Sequence, residues 1–214
     1  MATAPLLLLF PTAPERDACR AAYAGRPDVR AELCGFGPIV AAARTAALLE
    51  REPAVRVLLA GIAGALNPAL GLAQAFWFGR VALDGLGAGE GAGLLGPSAI
   101  GLPQWTGAPG PRIEDRLPLW TPAGAPSLPE LLCVTGAAAD ADQTAHRRLR
   151  FPAAAAEEME AFGVASACAL AGVEFGCLRG ISNLAGVRDK REWRIADALE
   201  SVRGELSRTL EGTP

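Results

Sequence analysis

The 214-residue chain has no surplus of positive charge: 20 Lys and Arg stand against 23 Asp and Glu, a formal net charge of -3 at pH 7. Phosphate-backbone binding needs a basic stripe, so a nucleic-acid partner is not expected and the partner is small. Long hydrophobic runs are absent too. Leu6-Leu7-Leu8-Leu9-Phe10 is apolar, but a membrane span takes about 20 such residues. The run also lacks the basic lead-in and small-residue cleavage site of a signal peptide. It reads as a buried first strand, with no membrane partner. The five cysteines, Cys19, Cys34, Cys133, Cys168 and Cys177, are odd in number and never form a C-x-x-C pair. That argues against a disulfide framework and against a zinc site, and places the chain in the cytoplasm with its cysteines as small core residues. The one histidine, His146, sits among Arg147, Arg148 and Arg150 with nothing nearby to orient it, so it reads as a surface residue rather than a general base. Gly35-Phe36-Gly37-Pro38 lacks the third glycine of a dinucleotide fingerprint, and no nicotinamide or flavin cofactor is expected. No internal repeat, heptad array or low-complexity tail is present.

What the chain does have is apolar mass: half of its residues are hydrophobic, enough for one α/β domain spanning residues 1–214. The first strand stops at Pro11-Thr12, where Thr12 or Ala13 caps and Pro14 begins a helix carrying Glu15. Glu15 is then either a surface charge answering the helix dipole or a carboxylate aimed into a cleft. Ala31 to Cys34 reads as a strand leading through the Gly35–Pro38 turn into an Ala-rich helix from Ile39 to Glu50. Val55 to Ala60 reads as a strand buried on both faces. It ends at Gly61-Ile62-Ala63-Gly64, where glycines let backbone approach a ligand at a strand's carboxyl end. Ala73 to Leu83 reads as one long strand. From Asp84 to about Pro129 the Gly and Pro density predicts loops with one short strand, covering a pocket or a subunit contact.

A strand is predicted over Leu131–Thr135 and a short helix over Ala141–Leu149. Glu157-Glu158-Met159-Glu160 then reads as the start of a helix that runs to Ala171-Gly172. A strand follows from Val173 to Ile181, closed by Ser182-Asn183. The last helix is predicted to start at Arg188–Glu192 and carries Ile195, Ala198, Leu199, Val202, Leu206 and Leu210 on one face. Strands alternating with helices predict a three-layer α/β sandwich, a central mixed β-sheet flanked by helices.

Five segments in order carry a resemblance over nearly the whole length. They are Pro11-Thr12 to Glu15, Gly35 to Pro38, Gly61 to Gly64, Glu158-Met159-Glu160, and Gly180 to Gly186 with Arg188-Asp189 and Trp193. Together they resemble the nucleoside phosphorylase and nucleosidase superfamily, and most closely its futalosine hydrolases of menaquinone biosynthesis. The resemblance implies a nucleoside phosphorylase-like fold, a homodimer or higher assembly, and an N-ribosyl hydrolase that releases hypoxanthine and uses no metal or cofactor. It assigns Glu15 to the activation of water and Met159 with Glu160 to the ribose. An ionised carboxylate accepts from two neighbouring hydroxyls, and a thioether packs on the sugar face. Glu158, Ser182, Gly61, Ala63 and Gly64 join them as substrate-binding positions, while Glu157 is left to a structural role.

Asn183 stands where adenine-specific relatives carry an aspartate. An amide donates to N7 or to a 6-oxo group but cannot transfer a proton, which points to a hypoxanthine-type leaving group. A benzoate-like carboxylate on such a substrate calls for an arginine partner. Thr135-Gly136-Ala137-Ala138-Ala139 offers no aromatic to stack on the purine. Another purine nucleosidase, or a phosphorylase kept open by Arg16 beside Glu15, acting on inosine or methylthioadenosine is one alternative, and a nucleoside-binding relative that has lost catalysis is the other.

Overall fold

A computed structural model describes residues 5–108, 110–137 and 140–212. In chain order the elements are β1 (Leu6–Phe10), α1 (Ala13–Ala18), β2 (Val29–Leu33), α2 (Pro38–Arg51), β3 (Arg56–Ala65), β4 (Ala75–Phe78), β5 (Arg80–Leu83) and α3 (Pro97–Ile100). They continue with β6 (Arg116–Pro118), β7 (Ser127–Leu128), β8 (Glu130–Cys133), α4 (Ala141–Arg150), β9 (Ala154–Glu158), α5 (Ala161–Ala171), β10 (Glu174–Leu184) and α6 (Ile195–Glu211). The ten strands make one mixed sheet in the order β6-β5-β8-β9-β3-β10-β4-β7, with β1 and β2 branching from β3.

The three layers follow from the two-residue period of the central strands. Leu7, Leu9, Val57 and Leu59 face one way, into a core shared with Ala41 and Leu48 of α2 and with Phe162, Ala165 and Cys168 of α5. Their neighbours Leu6, Leu8, Phe10, Leu58 and Ala60 face the other way, onto Leu199, Val202, Leu206 and Leu210 of α6. Each such leucine taken from water contributes about 1.5–3 kcal/mol. All five cysteines are free and buried. Helices α2 and α5 meet at Gly163, where a Cβ would overlap the Pro38 carbonyl oxygen and lie 2.9 Å from its carbon. Gly163→Ala should therefore lower stability by about 1–3 kcal/mol. Alanine's better helix propensity is worth only about 1 kcal/mol, so an unchanged urea midpoint would show that the helices can separate at no cost.

Strand β3 is a fork. Along one edge its first half pairs with β1 in parallel, Leu6↔Arg56 to Leu9↔Leu59, and its end pairs with β9 antiparallel, Gly64↔Glu157 and Ala65↔Ala156. Its other edge holds β10 in parallel along nearly its full length. That ladder contains a bulge: Ile181 pairs with Ala63 and Asn183 with Gly64, leaving Ser182 as an extra residue.

Several sequence expectations change here. The strand expected to end at Gly61 runs on through Gly64 to Ala65, because β10 pairs with it over that stretch. Ala73–Leu83 is two strands parted at Gly79: β4 pairs with β10, whereas β5 pairs with β8. Among the described residues the Gly- and Pro-rich middle holds two short strands, β6 and β7, one turn of α-helix, α3, and a 3-10 turn at Gly91–Gly93. Ala154–Glu158 is strand, since it fills the gap between β8 and β3, and α5 starts only at Ala161. The last helix starts at Ile195, preceded by a single 3-10 turn at Lys190–Glu192.

Candidate active site

A cavity of about 640 Å³ opens at the carboxyl ends of β1, β3 and β10, with the β9–α5 junction as a further wall. Small-molecule pockets span roughly 300–1,000 Å³, and open α/β sheets bind ligands at this end of their strands. Its wall includes Glu15, Ala63, Gly64, Glu158, Met159, Glu160, Ser182 and Asn183, so eight of the nine sequence-derived positions converge.

Glu15 is placed by the fork. Where β1 has ended and β9 has not begun, the Ile62 N–H donates to Glu15 Oε1 at 3.1 Å. Thr12, the N-cap of α1, turns its hydroxyl onto Glu15 Oε2 at 2.6 Å. Two donors therefore hold a buried carboxylate, and the surface-charge alternative does not apply. Gly61 is the ninth position and is not on the cavity wall. A Cβ there would overlap Arg179 Nη1 and sit 2.6 Å from Glu15 Oε1. Its glycine makes room for those two side chains rather than for a ligand.

Arg179 lies in mid-strand in β10 with no exposed surface, and sequence reasoning passed over it. A charge inside the apolar run Phe175–Ile181 needs buried partners, and that was the available signal. Its Nη2 donates to Glu158 Oε2 and, at 3.2 Å, to Glu160 Oε2, whereas its Nη1 has no hydrogen-bond partner among the described residues. Burial alone would pull the guanidinium down; Glu158, Cys177, Glu160 and Glu15 more than reverse this and hold it charged.

Glu158 and Glu160 divide their tasks. Glu158 accepts from the backbone N–H groups of Glu160, at 2.9 Å, and Ala161, at 2.9 and 3.0 Å, and so caps α5 from the strand before it. Glu160 accepts from Gly37 N at 3.0 Å. Burial pushes its carboxyl up, Arg179 opposes that, Glu158 reinforces it and the Gly37 N–H opposes it, leaving the pKa at about 7. Glu157, also on the wall, is held by Arg147, which donates to Glu157 Oε2 at 2.7 Å and to Gly136 O at 2.7 Å.

On the opposite wall, Asn183 Oδ1 accepts from Ser182 Oγ at 2.8 Å, and Nδ2 donates to Leu184 O at 3.0 Å. One N–H of the Asn183 amide remains for a ligand. Phe36 and Trp193 bring aromatic rings to the wall; of the segment expected to lack one, Ala138 and Ala139 lie outside the described residues. Among the described residues the basic one on the wall is Lys190, not an arginine. Arg16 is turned away, bonding Asp17 Oδ1 through Nε at 3.0 Å and Nη2 at 2.9 Å.

A mixed sheet between two helical layers, with a cluster of buried carboxylates at its strand ends, suits a reaction that develops positive charge on its substrate, and the similar proteins are N-glycosyl hydrolases of the nucleosidase type. A family model described as the Phosphorylase superfamily matches residues 127–211. A futalosine hydrolase of Streptomyces coelicolor is 35% identical over 185 residues, covering 83% of this chain and 77% of its own. One from Acidothermus cellulolyticus is 38% identical over 151 residues, covering 68% and 60%. The chain belongs to the futalosine hydrolase family. In fold it is similar to the native futalosine hydrolase of Helicobacter pylori, with a TM-score of 0.81 at 13% identity over 99% of both chains. It is likewise similar to a methylthioadenosine/S-adenosylhomocysteine nucleosidase of Colwellia psychrerythraea in complex with adenine, with a TM-score of 0.78 at 17% identity over 98% and 96% of the chains.

Proposed function

We propose that this chain cleaves the N-glycosidic bond of futalosine with water and releases hypoxanthine, the step the resemblance places in menaquinone biosynthesis. The names of its relatives support the substrate, and one observation supports the chemistry. The Glu15 carboxylate lies on the cavity wall, buried and held by the Ile62 N–H and the Thr12 hydroxyl. A water in the cavity beside it meets an acceptor able to take its proton. Its oxygen bonds to the anomeric carbon, its proton passes to Glu15, and the C–N bond breaks with its electron pair leaving on the purine. Positive charge develops on the sugar ring, and Glu160 stabilises it more in the transition state than in the ground state while accepting from the ribose hydroxyls. Met159 packs on the sugar. Asn183 donates its free N–H to the departing base, which takes its proton from solvent. Arg16, occupied by Asp17, offers no cradle for phosphate, which favours hydrolysis over phosphorolysis.

Purified protein incubated with futalosine, inosine or methylthioadenosine, each with and without phosphate, is expected to release base from futalosine in both conditions. Phosphate-dependent cleavage of inosine with futalosine left intact would overturn the reading.

The ionised form of Glu160 is the working one. Below pH 7 kcat/KM is expected to fall by about tenfold per pH unit as this carboxylate takes up its proton. Stability runs the other way. The folded pKa is raised above the ordinary value of 4.5, so this group's contribution is fully present below pH 4.5 and lost as pH rises to about 7. A pH–rate profile with no acid limb between pH 5 and 7 would remove Glu160 from the mechanism.

The same proposal takes residues 1–214 as one domain, in the cytoplasm, assembled as a homodimer or larger. No helix among the described residues is long and apolar enough to cross a membrane. Phe36, Ile39 and Val40, 65%, 82% and 54% exposed, form an apolar patch at the start of α2 beside the cavity, and a second copy of the chain would cover it.

A further inference from the structure

We propose that Lys190 selects the substrate by its charge: its ammonium receives an anionic group carried on an aromatic substituent of the nucleoside, and the Trp193 indole packs on that ring. The inference rests on the hydrolase reading of the cavity and goes on to name what the wall beside the β10 bulge accepts.

Glu15, Glu157, Glu158 and Glu160 line the cavity, and Lys190 is its one basic lining residue among the described residues. Arg147 pairs with Glu157 and Arg179 with Glu158 and Glu160, so the cation on the wall left to receive a negative group is Lys190. Lys190 is exposed, and among the described residues its side chain makes no ion pair or hydrogen bond. Asp189, beside it in sequence, does not neutralise it: Asp189 Oδ1 accepts from the backbone N–H and Nε of Arg191 at 3.0 and 2.9 Å, and Oδ2 pairs with the same guanidinium.

The segment carrying Lys190 is fixed to the site. Trp193 N donates to Lys190 O at 3.2 Å, and Arg194 N donates to Ser182 O at 2.7 Å, which ties the turn to the bulge of β10. Trp193 Nε1 donates to Val187 O at 3.0 Å. The polar tip of the indole is thereby satisfied and its apolar body is left for packing. Ile195 and Leu199 of α6 complete this part of the wall. A cation beside an indole and two aliphatic side chains fits a flat, apolar group with a negative edge, which is the chemistry of an aryl carboxylate.

The test compares base release from futalosine with release from the methyl ester of its benzoate, using wild type, Lys190→Met and Lys190→Arg. A hydrogen bond to a charged group is worth roughly a factor of ten or more. Lys190→Met is expected to raise KM for futalosine about tenfold with kcat little changed. The ratio of kcat/KM for futalosine to that for the ester should fall by the same factor, and Lys190→Arg should restore most of it. An equal loss on both substrates, or no loss on futalosine, overturns the assignment while leaving the hydrolase reading intact. Wild-type protein that leaves futalosine untouched overturns both.

Discussion

Glu15→Gln should lower kcat for base release by about 10²–10⁴-fold, the range expected when a positioned general base is removed, while nucleoside binding changes little. The replacement is nearly isosteric. Its amide oxygen can still accept from Ile62 N or from the Thr12 hydroxyl, so the turn from β1 into α1 keeps its shape. What it loses is an acceptor basic enough to take a proton from water. Single-turnover kinetics, read alongside thermal stabilisation by purine nucleosides, would separate the two effects. A variant that still binds but turns over at the wild-type rate would take Glu15 out of the reaction. A variant that no longer binds would mean that the carboxylate grips substrate instead of activating water.

The second large effect is on stability. Arg179→Met should cost about 3–5 kcal/mol, because removing one member of a buried ionic group leaves the others uncompensated. Glu158 would keep its bonds to the N–H groups that start α5, but Glu160 would lose the cation that opposes its burial. Its carboxyl should then titrate higher still. The acid limb of the rate profile, if turnover is measurable, should move to higher pH along with the loss of stability. Urea denaturation gives the magnitude. A loss below about 1 kcal/mol would mean that the cluster relaxes by protonation at almost no cost.

Much of this arrangement was legible in the sequence because the long strands are apolar on both faces and the polar motifs fall at their carboxyl ends. The three layers followed from that alternation, and Glu15, Met159, Glu160 and Asn183 do meet around one cavity. What was not legible depended on partners distant in the chain. Ala154–Glu158 is composed of good helix formers and is strand only because β8 and β3 flank it. Gly61 to Gly64 looks like the end of a strand until the eleven residues of β10 are laid beside it. Glu158 lines the cavity and also bonds the N–H groups at the start of α5 and Arg179, ties that no spacing rule supplies. Arg179 itself could have been found: an arginine between Leu178 and Gly180, in the middle of an otherwise apolar strand, must be paired.

The extra residue in β10 fixes more than a register. Side chains along a strand alternate between faces, yet Ser182 and Asn183 are consecutive and both reach the cavity. They can do so because the ladder to β3 skips one position between Ile181 and Asn183. Substitutions at these two positions alter the chemistry of one wall and leave the strand in place. Losing or gaining a single residue here would turn Asn183 to the opposite face and shift the pairing of Leu184 with Ala65. Among descendants of this protein, the length of β10 is held by its bulge as firmly as Arg179 is held by its buried partners.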